Sequence, residues 1–210
     1  MTAGRFITFD GGEGTGKSTQ ACRLAAALET RGISCVLTRE PGGSSGAEDI
    51  RKLLVNGEPG RWDALTETLL LYAARANHVA HTIRPALAEG QWVICDRFSD
   101  SSYAYQGAGR GVDRETIRRI ESVSIGDFKP EFTIILDMPA ALGLERARSR
   151  ASSETRFEQF DVAFHERLRQ AFLDIARRAF DRCAVIDADA DENAVAGAIL
   201  DAVSTRFALD

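Results

Sequence analysis

Five short runs of the chain are apolar with little polar alternation: Arg5–Asp10, Ile33–Thr38, Trp92–Asp96, Phe132–Asp137 and Cys183–Asp187. A strand covered on both sides reads this way, because neither side of its pleat has to meet water. Between the runs the apolar spacing becomes helical. Ser18–Arg31 sets Ala21, Leu24, Ala25 and Leu28 on one stripe and stops at Gly32, a favourable helix end. Leu65–Ala88 carries Leu69, Tyr72, Ala73 and Ala76 at similar intervals, with Pro85 expected to kink or end it. Val162–Phe180 repeats the spacing with Phe164, Leu168, Phe172 and Ile175, and a closing helix is expected over Asn193–Phe207. Strands alternating with helices predict an α/β fold, a five-stranded parallel sheet with helices on both faces, since the crossovers are right-handed. No repeat or linker divides the chain, so residues 1–210 read as a single domain.

Composition narrows the function classes. The chain has 210 residues, 44% hydrophobic and 27% charged, which excludes a disordered tail-like protein. With 26 Lys+Arg against 31 Asp+Glu the formal charge is −5, a poor surface for polymeric nucleic acid. No uncharged run approaches the ~20 residues of a membrane span. The first residues lack the apolar core and cleavage site of a secretory leader, so a cytoplasmic location is expected. Cys22, Cys35, Cys95 and Cys183 form no Cys-x-x-Cys pair, which argues against zinc or a disulfide framework. His78 and His81 could share a metal from one helix, but no third ligand is in register; an ordinary helix surface is the preferred reading.

The chemistry concentrates in the glycine-rich stretches that follow strands. Gly11-Gly12-Glu13-Gly14-Thr15-Gly16-Lys17-Ser18 matches the phosphate-loop pattern and lies between a strand and a helix, as the mechanism requires. Its glycines let consecutive N–H groups surround phosphate oxygens, and the helix N-terminus adds positive partial charge. Gly11 to Thr19 is the expected ATP-binding set, with Lys17 on the β- and γ-phosphates and Ser18 on Mg²⁺. The variable loop positions hold Gly12, Glu13, Gly14 and Thr15, without a further cation. Phosphoryl transfer gathers negative charge, so an arginine should arrive from another segment. Arg97, directly after the third strand, emerges at the same rim, and its planar fork suits a second phosphate.

Four further segments complete a resemblance. Thr38-Arg39-Glu40-Pro41-Gly42-Gly43, Leu71-Tyr72-Ala73-Ala74-Arg75, Asp96-Arg97-Phe98 and Ala104-Tyr105-Gln106-Gly107-Ala108-Gly109-Arg110-Gly111, in register with the phosphate loop, resemble thymidylate kinases. The similarity runs from about Phe6 through Phe172 and implies a P-loop nucleoside monophosphate kinase fold. It implies Mg²⁺-dependent transfer of the ATP γ-phosphoryl group to dTMP, with a homodimer formed through helices. By the same resemblance Glu13 would accept the sugar 3′-hydroxyl and Arg97 would grip the acceptor phosphate, assisted by Arg39. Arg75 would contact the thymine edge or lie against the base, Ser101 and Ser102 would read its polar groups, and Tyr105 would crowd the 2′ position. Relatives place a stacking aromatic where this chain has Leu71; Tyr72 could replace it or belong to the helix core.

A basic segment follows the fourth strand. Residues 145–158 carry Arg146, Arg148, Arg150 and Arg156 around a serine-rich centre, and are expected to form a mobile lid over the donor. Relatives whose phosphate loop lacks a basic residue supply the catalytic arginine from the lid, which points to Arg150 and Arg156 beside Lys17 and Arg97 as the catalytic set. A deoxynucleoside kinase using Asp96 as base, another nucleoside monophosphate kinase, and a partner-driven ATPase or switch are the competing readings.

Overall fold

The computed structural model describes residues 4–56, 58, 60–149 and 159–209. Its strands are β1 (Phe6–Gly11), β2 (Cys35–Arg39), β3 (Trp92–Asp96), β4 (Phe132–Asp137) and β5 (Cys183–Asp187). All pair in parallel, in the order β2-β3-β1-β4-β5. The phosphate loop therefore leaves the central strand. Asp96 lies opposite Phe9, and Leu136 opposite Gly11, so the segments after β3 and β4 emerge at the same rim as the loop. Open parallel sheets bind ligands there, outside the carboxyl ends of their strands.

The helices are α1 (Lys17–Glu29), α2 (Ser45–Val55), α3 (Ala64–His78), α4 (Arg84–Ala88), α5 (Ser99–Ser102), α6 (Arg114–Ser124), α7 (Ala140–Arg148), α8 (Val162–Arg178) and α9 (Glu192–Phe207). Strand alternation sorts the core into two sides. Ile7, Phe9, Trp92, Ile94, Ile134 and Leu136 meet Leu24 and Leu28 of α1 and Val195 and Ile199 of α9. On the opposite side Phe6, Val93 and Cys95 pack against Val79, Ile83 and Ala86, while Ile135 meets Phe164, Leu168 and Phe172 of α8. Each such side chain, taken out of water, contributes about 1.5–3 kcal/mol. Among the described residues no helix is long and apolar enough to cross a membrane.

Three expectations change. The edge strands β2 and β5 are only half covered, leaving Leu37 and Val185 partly exposed, so burial on both sides holds for the inner strands alone. The helical path expected to bend or stop at Pro85 changes ahead of it: residues Val79–Ile83 form a widened π-helical turn, and α4 follows with Pro85 in its first turn. The apolar stripe read on α3 is only partly inward: Tyr72 is buried, but Leu69 and Ala73 are exposed and Ala76 is half-buried, while Glu67, Thr68, Arg75 and His78 are buried. Tertiary position has overridden amphipathicity, because the inner side of α3 lines a polar cleft. His78 accordingly is not an ordinary helix-surface residue, although His81 is exposed.

Candidate active site

The phosphate loop turns sharply at Gly11, Gly14 and Gly16, whose φ angles of 133°, 71° and 86° favour glycine. At Gly14 a side chain is excluded twice, since a Cβ would also lie 1.8 Å from the carbonyl oxygen of Gly143 in α7. Lys17 is buried, and its Nζ donates to the Gly12 carbonyl at 2.5 Å and to Thr15 Oγ1 at 3.3 Å. Burial, then repulsion from Arg97, pulls its pKa down to about 8 despite nearby carboxylates. Ser18 and Thr19 stand exposed in the first turn of α1. The Ser18 hydroxyl donates to Asp96 Oδ2 at 2.5 Å, while Asp96 Oδ1 is buried without a hydrogen-bond partner among the described residues. A hydroxyl beside a carboxylate oxygen with spare capacity is an all-oxygen donor set, the kind Mg²⁺ takes.

Arg97 reaches the loop because its backbone bends unusually. Its φ of +72° is left-handed, a conformation that costs a non-glycine residue about 1–3 kcal/mol and is characteristic of functional turns. The bend sends its NH1 to the Gly11 carbonyl (3.1 Å) and Ser101 Oγ (3.4 Å), and its NH2 to Glu13 Oε1 (3.0 Å). Tyr105, in a π-helical segment Tyr103–Gly109, donates its hydroxyl to that same Glu13 oxygen at 2.7 Å. Burial would raise the Glu13 pKa, but Arg97, Lys17 and the Tyr105 hydrogen bond together hold it near 2, so the carboxylate stays charged. Ser101 also donates to Asp10 Oδ1 at 2.5 Å. Its proton is committed below the cleft rather than into it.

Two joined hollows flank Arg97. One is lined by Lys17, Ser18, Arg39, Arg51, Asp96 and Glu13 on the phosphate-loop side. The other, a cleft of about 170 Å³, brings together Arg75, Ser101, Ser102, Tyr105, Leu71 and Phe98, and shares Glu13, Glu40, Arg51 and Arg97 with the first. Arg75 is almost completely buried; its Nε donates to Glu40 Oε2 (2.7 Å), NH1 to Ser102 Oγ (3.1 Å) and NH2 to the Phe98 carbonyl (3.1 Å). Burial works against its charge, but Glu40 more than offsets that and raises its pKa. Tyr72 is not in this lining. Only 1% of it is exposed, and the Arg75 guanidinium lies 4.4 Å over its ring. The aromatic rings lining the cleft are Phe98 and Tyr105.

Most of the anticipated residues thus meet around Arg97, and the sequence left some partners out. Arg51 lies on α2, a helix absent from the expected elements, and its NH1 donates to the Pro41 carbonyl. Gln106 lines the cleft and gives its amide N–H to buried Glu67 at 2.9 Å; its place in the hydrogen-bonding run after Arg97 was the available signal. Arg39 remains exposed, with only a 3.4 Å contact to Glu48. On the other side of the phosphate loop Arg146 bonds the Ala188 carbonyl at 3.0 Å and Asp189 at 3.1 Å, beside a hollow formed with Gly14, Gly16, Thr19 and Gln20. Arg150 and Arg156, with most of the expected lid, lie outside the described residues.

A sequence model of the family described as thymidylate kinase matches residues 9–199. The thymidylate kinase of Caulobacter vibrioides is 54% identical over 209 residues, covering 100% of both chains. That of Nitrobacter hamburgensis is 51% identical over 208 residues, 98% of this chain and 90% of the relative. The crystal structure of thymidylate kinase from Ehrlichia chaffeensis superposes with a TM-score of 0.77 at 35% identity, covering 96% of this chain and 99% of that one. A central phosphate loop facing a buried arginine-rich cleft, and full-length similarity at this level, give one conclusion: the chain belongs to the thymidylate kinase family, ATP-dependent nucleoside monophosphate kinases that phosphorylate dTMP to dTDP.

Proposed function

We propose that this enzyme transfers the γ-phosphoryl group in line, with ATP on the Gly11–Thr19 loop and dTMP in the cleft of Arg75 and Tyr105, phosphate toward Arg97. The observation carrying this reading is that the two hollows meet at Arg97, Arg51 and Glu13. Two anions placed from opposite ends come together there, against Lys17 and the arginines. Lys17 binds the donor phosphates; Arg97 grips the acceptor phosphate, aided by Arg39 and Arg51. Arg150 and Arg156 bring to the donor the arginine charge that the variable loop positions lack. Ser18, with Asp96 behind it, would hold Mg²⁺, which when bound would supply positive charge to offset that of the donor phosphates.

The nucleophile is an acceptor phosphate oxygen. A phosphomonoester's second pKa is about 6, so at neutral pH it is largely dianionic and no side chain has to take a proton. The work left to the protein is alignment at about 3–3.5 Å and neutralisation of two repelling anions. One P–O bond of ATP breaks as one forms on dTMP, leaving ADP and dTDP. On the base side, Arg75 and Ser102 face the polar edge, Leu71 and Phe98 provide the apolar walls, Glu13 accepts the 3′-hydroxyl, and Tyr105 fills the space a 2′-hydroxyl would need.

A homodimer is part of the proposal. Leu65 and Leu69, 48% and 50% exposed, continue through exposed Ala73 and Ala80 as an apolar stripe suited to a second copy. The cytoplasm is the proposed location. The test is an acceptor screen with ATP and Mg²⁺ over all nucleoside monophosphates, for the enzyme and for Arg97→Ala. Strong preference for dTMP, with its KM raised in the variant, is expected. An unchanged dTMP titration in the variant overturns the assignment of Arg97.

A further inference from the structure

Behind the cleft runs a buried polar chain that the reaction itself does not use. His78 on α3 is completely buried; its Nε2 lies 2.8 Å from Thr38 Oγ1 and its Nδ1 3.1 Å from Glu40 Oε1. The other oxygen of Glu40 accepts Arg75 Nε at 2.7 Å. Paired with Arg75, the Glu40 carboxylate offers acceptors only, so Nδ1 carries a proton. At Nε2 the ring shares a second hydrogen bond with the Thr38 hydroxyl.

The loop after β2 rests on this chain. A Cβ at Gly43 would lie 2.3 Å from His78 Nε2 and 2.4 Å from Thr38 Oγ1, so backbone closes directly on the imidazole. Thr82 holds the Gly43 carbonyl at 2.7 Å, and Arg51 holds that of Pro41. The same loop begins at Glu40, directly after Arg39 at the end of β2, and Glu40 lines both hollows. Without the His78 donor, Glu40 is free to turn toward Arg39, Arg51 or Arg97. That movement would loosen Arg75 and quench charge meant for the acceptor phosphate.

We propose that His78 is a positioning residue: through Glu40 and the Thr38–Gly43 contact it holds the base-side arginine and the phosphate-side loop in one frame. The proposal rests on the reading of Arg75 as a base contact. It predicts an effect confined to the acceptor.

Steady-state kinetics with dTMP and ATP varied separately test this on His78→Leu, His78→Asn and Arg75→Ala, with melting curves to confirm folding. His78→Leu should raise the dTMP KM about tenfold, the scale of one lost hydrogen bond to a charged group, while kcat and the ATP KM stay within about twofold. His78→Asn retains an N–H toward Glu40 and should recover most of the loss. An unchanged dTMP KM in His78→Leu, or a parallel rise for both substrates that Asn does not relieve, overturns the proposal. If Arg75→Ala raises the dTMP KM while His78→Leu does not, positioning fails and the base contact stands. If Arg75→Ala leaves it unchanged, the base contact fails and takes the proposal with it. Should His78→Leu not fold, Thr38→Val removes only the hydroxyl; a dTMP KM raised about threefold supports the chain and an unchanged one rejects it.

Discussion

A single oxygen of Glu13 is held by two donors, the Tyr105 hydroxyl at 2.7 Å and the Arg97 guanidinium at 3.0 Å. Glu13 belongs to the phosphate loop, whereas the other two come from segments after β3. The contact therefore joins the phosphate loop to the cleft of Arg75 and Tyr105 with no ligand between them. It also orients Tyr105, whose ring lies under the Arg97 guanidinium at 5.0 Å.

Tyr105→Phe and Tyr105→Ala should separate the hydroxyl from the ring. Phe keeps the bulk beside the sugar and should preserve the preference for deoxyribose, with the dTMP KM several-fold higher because Glu13 loses a donor. Ala opens that space and should narrow the preference by about tenfold, the range of a lost steric contact. Turnover of dTMP and its ribose counterpart by each variant gives the ratios; equal ratios in all three enzymes contradict the role.

Replacing Arg97 should cost more than a charge. Arg97→Lys keeps the cation but loses the fork that binds Gly11, Ser101 and Glu13 together. Its kcat/KM for dTMP is expected to fall about 10²-fold, and that of Arg97→Ala further. The Ala variant also leaves Glu13 with less to hold its pKa near 2, so its residual activity should become sensitive to mildly acidic pH. Initial rates from pH 5 to 8 measure this.

Lys17→Ala should reduce turnover by about 10³-fold or more without lowering the melting temperature substantially. The pH dependence supplies a second check. With its pKa pulled down to about 8, Lys17 in the free enzyme loses its charge as pH rises through that value. The profile of kcat/KM for ATP, which reports the free enzyme, should therefore decline above about pH 8. A flat profile to pH 9.5 would remove the assignment.

Asp10 sits fully buried at the end of β1, with Asp100, Ser101, Arg97 and Lys17 around it. Burial, then Asp100, raises its pKa to about 7, only partly opposed by Ser101 and the two cations. The unfolded chain titrates near the ordinary value of about 3.9. Between these values the folded protein holds a proton the unfolded chain has lost, so stability falls as pH rises across the window. Asp10→Asn cannot ionise. Its melting temperature relative to the parent should increase from pH 5 to pH 8, which thermal melts at both pH values would show.

The sheet was legible because inner strands carry uninterrupted apolar runs, and β3, β4 and β5 match the expected limits. The phosphate loop was legible because its glycines meet a local backbone demand visible within eight residues. α2 and α6 were not, since each brings few apolar residues into the core: Ala47 and Leu54 from α2, and Ile117 from α6. The same cause hid Arg51, which depends on a helix the pattern did not announce. On α3 hydrophobicity found Tyr72 but misled at Leu69 and Ala73, which are exposed. Arg75, His78 and Glu67 also face inward, their burial sustained by Glu40, Arg110 and Gln106, partners 35 to 43 positions away in the chain for Arg75 and Glu67. No local period encodes such pairs.

Gly14 and Gly143 touch backbone to backbone: a Cβ on Gly143 would come 2.4 Å from the Glu13 carbonyl, the mirror of the conflict at Gly14. With no side chain between them there is no cushion. α7 and the phosphate loop are packed main chain against main chain, so any residue larger than glycine at either position has to push the two elements apart. Substitutions that reshape this rim therefore have more latitude at Glu192, an exposed side chain at the start of α9 that lines the neighbouring hollow.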